Sequence, residues 1–424
     1  MRATVVCFIS LLTIDSAAAL PLAAQQGPRA LGAPDTEYEE PFSSVAGLRE
    51  LRDGRVIVVD PRDKLVNLVD FRSGSATTIG REGSGPQEFG IPLRLFAAPG
   101  DTTLLFDPLN SRYLLIGPDG KAINTFRMEP QAPARPAQGA PGAQGRPPAG
   151  APQFQIASIG MSGRTSDARG RIYGEGSSFS QGSDGRPMSA DSVPLVRYDR
   201  STRAMDTLAF IKLPKSNTQV SGSANNRMLL IGGANPLAPR DEWSVFPDGR
   251  VAIVRADDYR VDFVMPDGSK RAGARIAHTP VRMNAAEIRY EEGLRNAARA
   301  NQMSIQVNRN NGQMTSTAQM GPPPNAPPLE PLTDWPDVKP PFRSGPTSVL
   351  ARPNGELWVR RTENAQARGT LYDVITPQGR VGHQVRIQDG WTLVGFGVNA
   401  IYTTRKDEDD LVYLQRHPTS RGND

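Results

Sequence analysis

The sequence is nearly without cysteine. Its one thiol, Cys7, lies in the opening stretch "MRATVVCFISLLTIDSAAALPLAAQQ". That stretch reads as an export leader: Arg2 gives a positive start, Thr4 to Ile14 an apolar core, and small residues follow, with cleavage expected after Ala24 or Ala19. Cys7 lacks the small-residue context upstream that a lipid-modified cysteine requires. Once 1–24 are removed no thiol remains, which excludes disulfides, cysteine nucleophiles and thiolate metal sites together. Histidine is scarce too. His278, His383 and His417 form no Ser-His-Asp or His-rich metal pattern. Long apolar runs are also missing. The leader core falls short of the roughly 20 apolar residues that span a bilayer, and no transmembrane segment is expected further on. The net charge of +5 rests mainly on arginine, with little lysine. Such a balance suits an acidic ligand, while the leader argues against a nucleic-acid partner inside the cell. The chain is read as exported, to a periplasm or beyond.

Turn formers are plentiful: Gly 41 and Pro 38 in 424 residues. They punctuate a repeat. A turn followed by a short apolar strand recurs as "RDGRVIVVD" (52–60), "PGDTTLLFD" (99–107), "ARGRIYGEG" (168–176), "PDGRVAIVR" (247–255), "PNGELWVRR" (353–361) and, more weakly, "GVNAIYTTR" (397–405). A second hairpin follows each, such as "YLLIGPDGKAINTF". Four short strands per unit and six units predict an all-β fold, a six-bladed β-propeller. The sixth unit lacks its outer strand, and "TEYEEPFSSV" (36–45) precedes the first complete unit. The ring is therefore expected to close on this N-terminal strand, over 36–417, after a disordered linker at 25–35 and before a tail at 418–424.

The stretch "IGREGSGPQEFGIP" (79–92) places Gly80, Gly83 and Gly85 beside Arg81 and Glu82. A Walker loop needs Lys-Ser or Lys-Thr after its last glycine, and a dinucleotide fingerprint needs a helix to follow. Neither is present; strand-like "LRLFAA" follows instead. The stretch reads as a connector between two units. Gly83, Gly85, Pro86 and Phe89, with Asp107, Asn110 and Arg112 beyond, match the G-x-G-P-x-x-F connector and Asp-x-x-Asn-x-Arg corner of NHL-type repeats. The chain resembles secreted bacterial NHL-like six-bladed propellers, most closely over about 48–130. The resemblance implies a fold and no one activity, since such propellers serve as ligand binders, lyases, lactonases and scaffolds.

Segments 130–153, 177–192, 214–240 and 279–345 interrupt the repeat. Strand alternation puts all four on one face, the usual pattern when one face carries function. Segment 130–153 is Pro/Gly/Ala/Gln low complexity and is expected to be disordered. The last begins with a helix capped by Asn284, with Glu287 placed for a capping box and Ile288, Leu294 and Ala298 as an apolar stripe, followed by a polar, Pro-rich tail.

The second strands end on that same face. Asp60, Asp107, Arg255, Arg361 and Arg405 stand at these ends, and Trp335 lies in the insertion. They are the candidate binding residues, the arginines for a small anionic ligand. The first strands are poor in acids and amides, which favours a binding or interaction module, for a small ligand or another exported protein, without a cofactor. The alternative is a lactonase-like hydrolase or lyase with an axial cation, Ca²⁺, and "RKDEDD" (405–410) reads better as a solvated turn than as a calcium loop. Composition alone makes one prediction: replacing residues 131–152 by a short Gly-Ser linker leaves folding intact, and loss of soluble protein would show that the segment packs.

Overall fold

A computed structural model describes residues 27–129, 163–176, 179–181, 187–189, 191–214, 218–223, 226–231, 235–300, 303–310, 313–322, 328–329 and 331–419. The leader and the low-complexity segment lie outside these residues.

The strands form six antiparallel sheets in a ring, a six-bladed β-propeller. Blade 1 comprises Gly47–Glu50, Val56–Asp60, Leu65–Asp70 and Ser75–Thr78; blade 2 comprises Arg94–Ala98, Thr102–Asp107, Arg112–Ile116 and Ala122–Phe126. Blade 3 is Gly163–Ser166, Ile172–Glu175, Ser192–Tyr198 and Met205–Lys212, and blade 4 is Glu242–Val245, Val251–Arg255, Arg260–Val264 and Lys270–Arg271. Blade 5 is Val349–Ala351, Leu357–Arg360, Thr370–Ile375 and Val381–Ile387; blade 6 has Trp391–Phe396, Ala400–Lys406 and Val412–Pro418 of its own. The Asp-Gly and Asn-Gly turns do what their chemistry suggests. Gly54, Gly249 and Gly355 each donate N–H to the carbonyl three residues back with φ of 88–94°, a conformation that glycine adopts without strain.

Each sheet is apolar on both faces because it packs on two neighbours. Clusters of buried side chains among the described residues fill all six gaps. One joins Ile57, Val59 and Leu68 of blade 1 to Leu105 and Leu114 of blade 2. Trp243 and Ile253 of blade 4 meet Tyr173 and Leu195 of blade 3, and Tyr402 and Leu414 of blade 6 meet Val56 and Val58 of blade 1. First strands of adjoining blades touch around the axis, blade 6 against blade 1 included, so the ring is continuous.

Blade 6 is completed from the N-terminus. Thr36–Glu37 pairs antiparallel with the last strand, Thr36 opposite Arg416 and Glu37 opposite Gln415, and the pairing continues through Tyr38 and Phe42. Tyr38 and Phe42 are buried in the cluster between blades 6 and 1. Burying such side chains contributes roughly 1.5–3 kcal/mol each, comparable in sum to the backbone bonds of the ladder at roughly 1 kcal/mol net each. Glu37 accepts a bidentate pair from Arg405 and a third bond from Gln415. Buried His417 bridges Thr403 and the Gly32 carbonyl at 2.8 Å each. The linker expected at 25–35 is corrected over its described part. Arg29–Ala30 adds a parallel fifth strand to blade 5, because the outer strand Val381–Ile387 offers free backbone groups there.

The alternating strand directions put the links between blades, and those between second and third strands, on one face. The helix Ala285–Ala300 and the hairpins Thr218–Ser223/Asn226–Ile231 and Met303–Asn310/Gln313–Met320 all lie on these links. The last hairpin lies between the expected helix and the Pro-rich tail and was not read from the sequence, although Asn311-Gly312 is a hairpin signal there. Asn284 caps the helix as expected, accepting from the amides of Ala286 and Glu287. The docking face differs from the expected one. Leu294 is exposed, and the buried positions are Glu287 and Glu291, one turn apart. Glu287 takes the Ala365 amide and the Lys339 ammonium, and Glu291 takes Lys339 and Arg343. Lys339 and Glu291 are without exposed side-chain surface, and removing one member of such a cluster costs about 3–5 kcal/mol.

The closure yields a stability prediction. Phe42→Ala lowers stability by about 3–5 kcal/mol; an unchanged melting curve would argue against closure at this point. Burial holds His417 and His278 below the ordinary 6.5, so as pH falls the unfolded chain is protonated first. Their contribution is full above about 6.5 and is lost as pH falls through their lowered pKa values. Glu37, held below 4.5 chiefly by its hydrogen bond from Arg405, adds a loss at lower pH. Melting temperature should therefore drop between about pH 7.5 and pH 5.5, and His417→Gln should flatten that drop.

Candidate functional site

The connector at 79–92 is a structural joint. Asp107, fully buried, accepts from the amides of Gly90 and Ile91 and from Asn110 Nδ2. Asn110 also donates to the Gly83 carbonyl, and Arg112 donates to the carbonyls of Ser84, Gly85 and Glu88. Gly83 has φ of 152°, and a Cβ there would collide with the Glu88 side chain. The carbonyls of the loop are thus held by Asn110 and Arg112, and its Gly85 amide by Glu88. Asp60 repeats the joint one blade earlier, accepting from the amides of Ser43 and Ser44 and from Ser44 Oγ.

The three sequence-predicted arginines stand on separate blades, and each is held by its own carboxylate. Arg255 pairs with Asp241 at 2.8 Å and Asp262 at 2.9 Å. Arg361 pairs with Asp373 at 3.3 Å and lies over the ring of Tyr259. Arg405 is the partner of Glu37 in the closure. Asp60 and Asp107 are buried in their joints and do not face an open mouth. Arg255 does line a cavity of about 420 Å³, but acids and bases there neutralise one another, with Lys212 on Asp257 and Arg260 on Asp258. Trp335 is half-buried, and its Nε1 has no hydrogen-bond partner among the described residues.

The remaining second-strand end, which sequence reasoning passed over, is Glu175 of blade 3. Around it gathers a charged cluster from blades 2, 3 and 4. Arg94 and Glu242 begin their first strands, and Arg164 is the second residue of its own, so all three sit at the axial mouth on the insertion-bearing face. The first strand of blade 3 is described over Gly163–Ser166, and it sets Arg164 beside Glu175 and Glu242. Arg240 grips both oxygens of Glu175 at 2.7 Å, and Trp243 Nε1 donates to it at 2.8 Å. Arg164 pairs with Glu242 at 2.7 Å, which also receives the Gly345 amide. Burial raises the Glu175 carboxyl, but Arg240, Trp243 and Arg164 outweigh it and hold the pKa below its ordinary value.

Three guanidiniums thus meet two carboxylates, and Arg94 is the one left over. It donates to the Gly163 carbonyl at 2.9 Å and has no carboxylate partner among the described residues. Burial and then the nearby charge of Arg164 pull its pKa below the ordinary value. The neighbouring Tyr113 hydroxyl is buried without a hydrogen bond, and burial raises its pKa. Such a site attracts an anionic oxygen: a guanidinium partly out of water, with its charge uncompensated. Among the described residues no group of three or more His, Asp or Glu stands placed to hold a metal ion, and no described helix is long and apolar enough to cross a membrane. In "RKDEDD", Asp407 accepts from the amides of Asp409 and Leu411 and closes a turn.

No protein-family model and no curated protein matches the chain. Solved structures do. A member of the DUF4221 family from Bacteroides vulgatus is 11% identical, covering 92% of this chain and 95% of that one, with a TM-score of 0.39. Virginiamycin B lyase from Staphylococcus aureus is 12% identical over 90% and 97%, with a TM-score of 0.34. Oligogalacturonate lyase in complex with manganese is 13% identical over 92% and 95%, with a TM-score of 0.38. At these identities the likeness concerns the fold alone.

The joints predict a specific failure. Asp107→Ala strands several buried donors, at about 1–3 kcal/mol each, and should lower stability by several kcal/mol, whereas Asp107→Asn retains part of it. Equal melting temperatures for Asp107→Ala and wild type would show that Asp107 does not hold the joint.

Proposed function

We propose that the chain is an exported propeller that serves as a binding module, and that it takes the anionic group of a small ligand at the axial mouth. Export is supported by the leader-like first 24 residues. The single observation that supports the anion site is Arg94, a half-buried guanidinium without a carboxylate in a cluster of excess arginine. An anionic ligand group there supplies the missing counter-charge and displaces no existing ion pair. Arg255, Arg361 and Arg405 are less suited, because a ligand must first break their salt bridges. Hydrogen bonds to a charged partner contribute roughly 1.5–3 kcal/mol, which corresponds to roughly 10- to 100-fold in affinity.

The test is a titration of the full chain with a panel of monocarboxylate sugars, phosphorylated sugars and acidic peptides. Arg94→Ala should weaken every hit by roughly 10- to 100-fold, Arg94→Lys should restore part of it, and added salt should weaken binding in the wild type. Undiminished binding by Arg94→Ala would reject the site, and ligand turnover would replace the binding reading with an enzymatic one.

A further inference from the structure

We propose a second site, away from the axial mouth: the groove between the outer parts of blades 2 and 3 binds a small polyanion, a molecule carrying two or more carboxylate or phosphate groups. The groove encloses about 610 Å³, within the range of small-ligand sites. The first-hairpin turns of the two blades supply Pro99 and Arg169, the outer strand of blade 2 continues into Arg127 and Glu129, and the second turn of blade 3 supplies Asp199, Arg200 and Arg203.

Four guanidiniums therefore face two carboxylates, and both carboxylates are already engaged. Glu129 pairs with Arg203 at 2.8 Å. Asp199 accepts the amide and hydroxyl of Ser201 at 2.8 and 2.6 Å and so holds the turn. Arg127, Arg169 and Arg200 have no carboxylate partner among the described residues. Arg200 lies over the Phe126 ring, its Cζ 4.0 Å from the ring centre, a contact that leaves its N–H groups for a ligand. The chain that leaves the groove after Glu129 does not supply the missing charge: residues 130–162 contain Arg135 and Arg146 and no acid. Among the described residues no further carboxylate lines the groove, which suits a counter-charge from another molecule. Four guanidiniums against two carboxylates leave an excess of two positive charges, spread over two blades, which favours two or more acidic groups on one ligand, since a lone carboxylate meets only one planar fork.

The site is independent of the axial mouth, and its test is arranged to show this. Titrations use pyrophosphate and citrate as probes, with acetate as the single-charge control at matched ionic strength, all in an Arg94→Ala background. Both polyanions should bind and acetate should not. Adding Arg127→Ala and Arg169→Ala should weaken both at least tenfold without changing the melting temperature, because these two side chains are exposed and unpaired. Arg127→Glu with Arg169→Glu should abolish binding. Preference for pyrophosphate over citrate assigns phosphate chemistry, and the reverse assigns carboxylate. Equal binding before and after the groove substitutions, or acetate binding as well as citrate, would overturn the proposal. Loss of binding on Arg94→Ala alone would overturn it too, while supporting the axial site.

Discussion

A ring of four-stranded blades is complete only while its last blade has its fourth strand. Here one short N-terminal segment completes that blade, and it does so at three levels of strength. The ladder of Thr36–Glu37 sets the register. The ion pair of Glu37 with Arg405 selects it, since a shift by one residue would turn the carboxylate to the other side of the strand. The buried rings of Tyr38 and Phe42 add apolar burial between blades 6 and 1. Without the clasp, Val412–Pro418 would be an edge strand beside an apolar gap, and the cluster between blades 6 and 1 would lose Tyr38 and Phe42. Every other blade packs on two neighbours, so the ring transmits that loss.

The insertion-bearing face is built by one recurring position, the end of each second strand. In blades 1 and 2 the position is an aspartate that gathers the amides of the incoming link. In blades 4, 5 and 6 it is an arginine that meets a carboxylate of a link, a third strand or the clasp. Blade 3 places Glu175 there, among more arginines than it can neutralise. The same backbone geometry thus yields a closed joint in five blades and an open charge in one. That imbalance, rather than any catalytic constellation, distinguishes the axial mouth.

The large insertion is fixed to this face by charge. A helix with a weak apolar stripe gains little from hydrophobic docking, and Glu287 and Glu291 do the work instead, against Lys339 and Arg343. Buried charges of this kind are costly if mispaired, so they define one docked position and keep the helix over blade 5.

The fold was legible in the sequence because it depends on local chemistry. Asp-Gly and Asn-Gly turns, alternating apolar strands and a repeat of fixed order are determined by residues a few positions apart, and a sixth unit short of one strand already implied closure by the strand at 36–45. The roles of the charged residues were not legible. Asp60, Asp107, Arg255, Arg361 and Arg405 read as candidate binding residues, because each has a partner that lies 7 to 368 residues away along the chain. Arg94 looked ordinary for the same reason: only the ring brings Arg164 beside it and leaves it without a carboxylate. A sequence shows which side chains carry charge. Whether a charge is cancelled depends on distances between blades, and those are set by the packing of the whole ring.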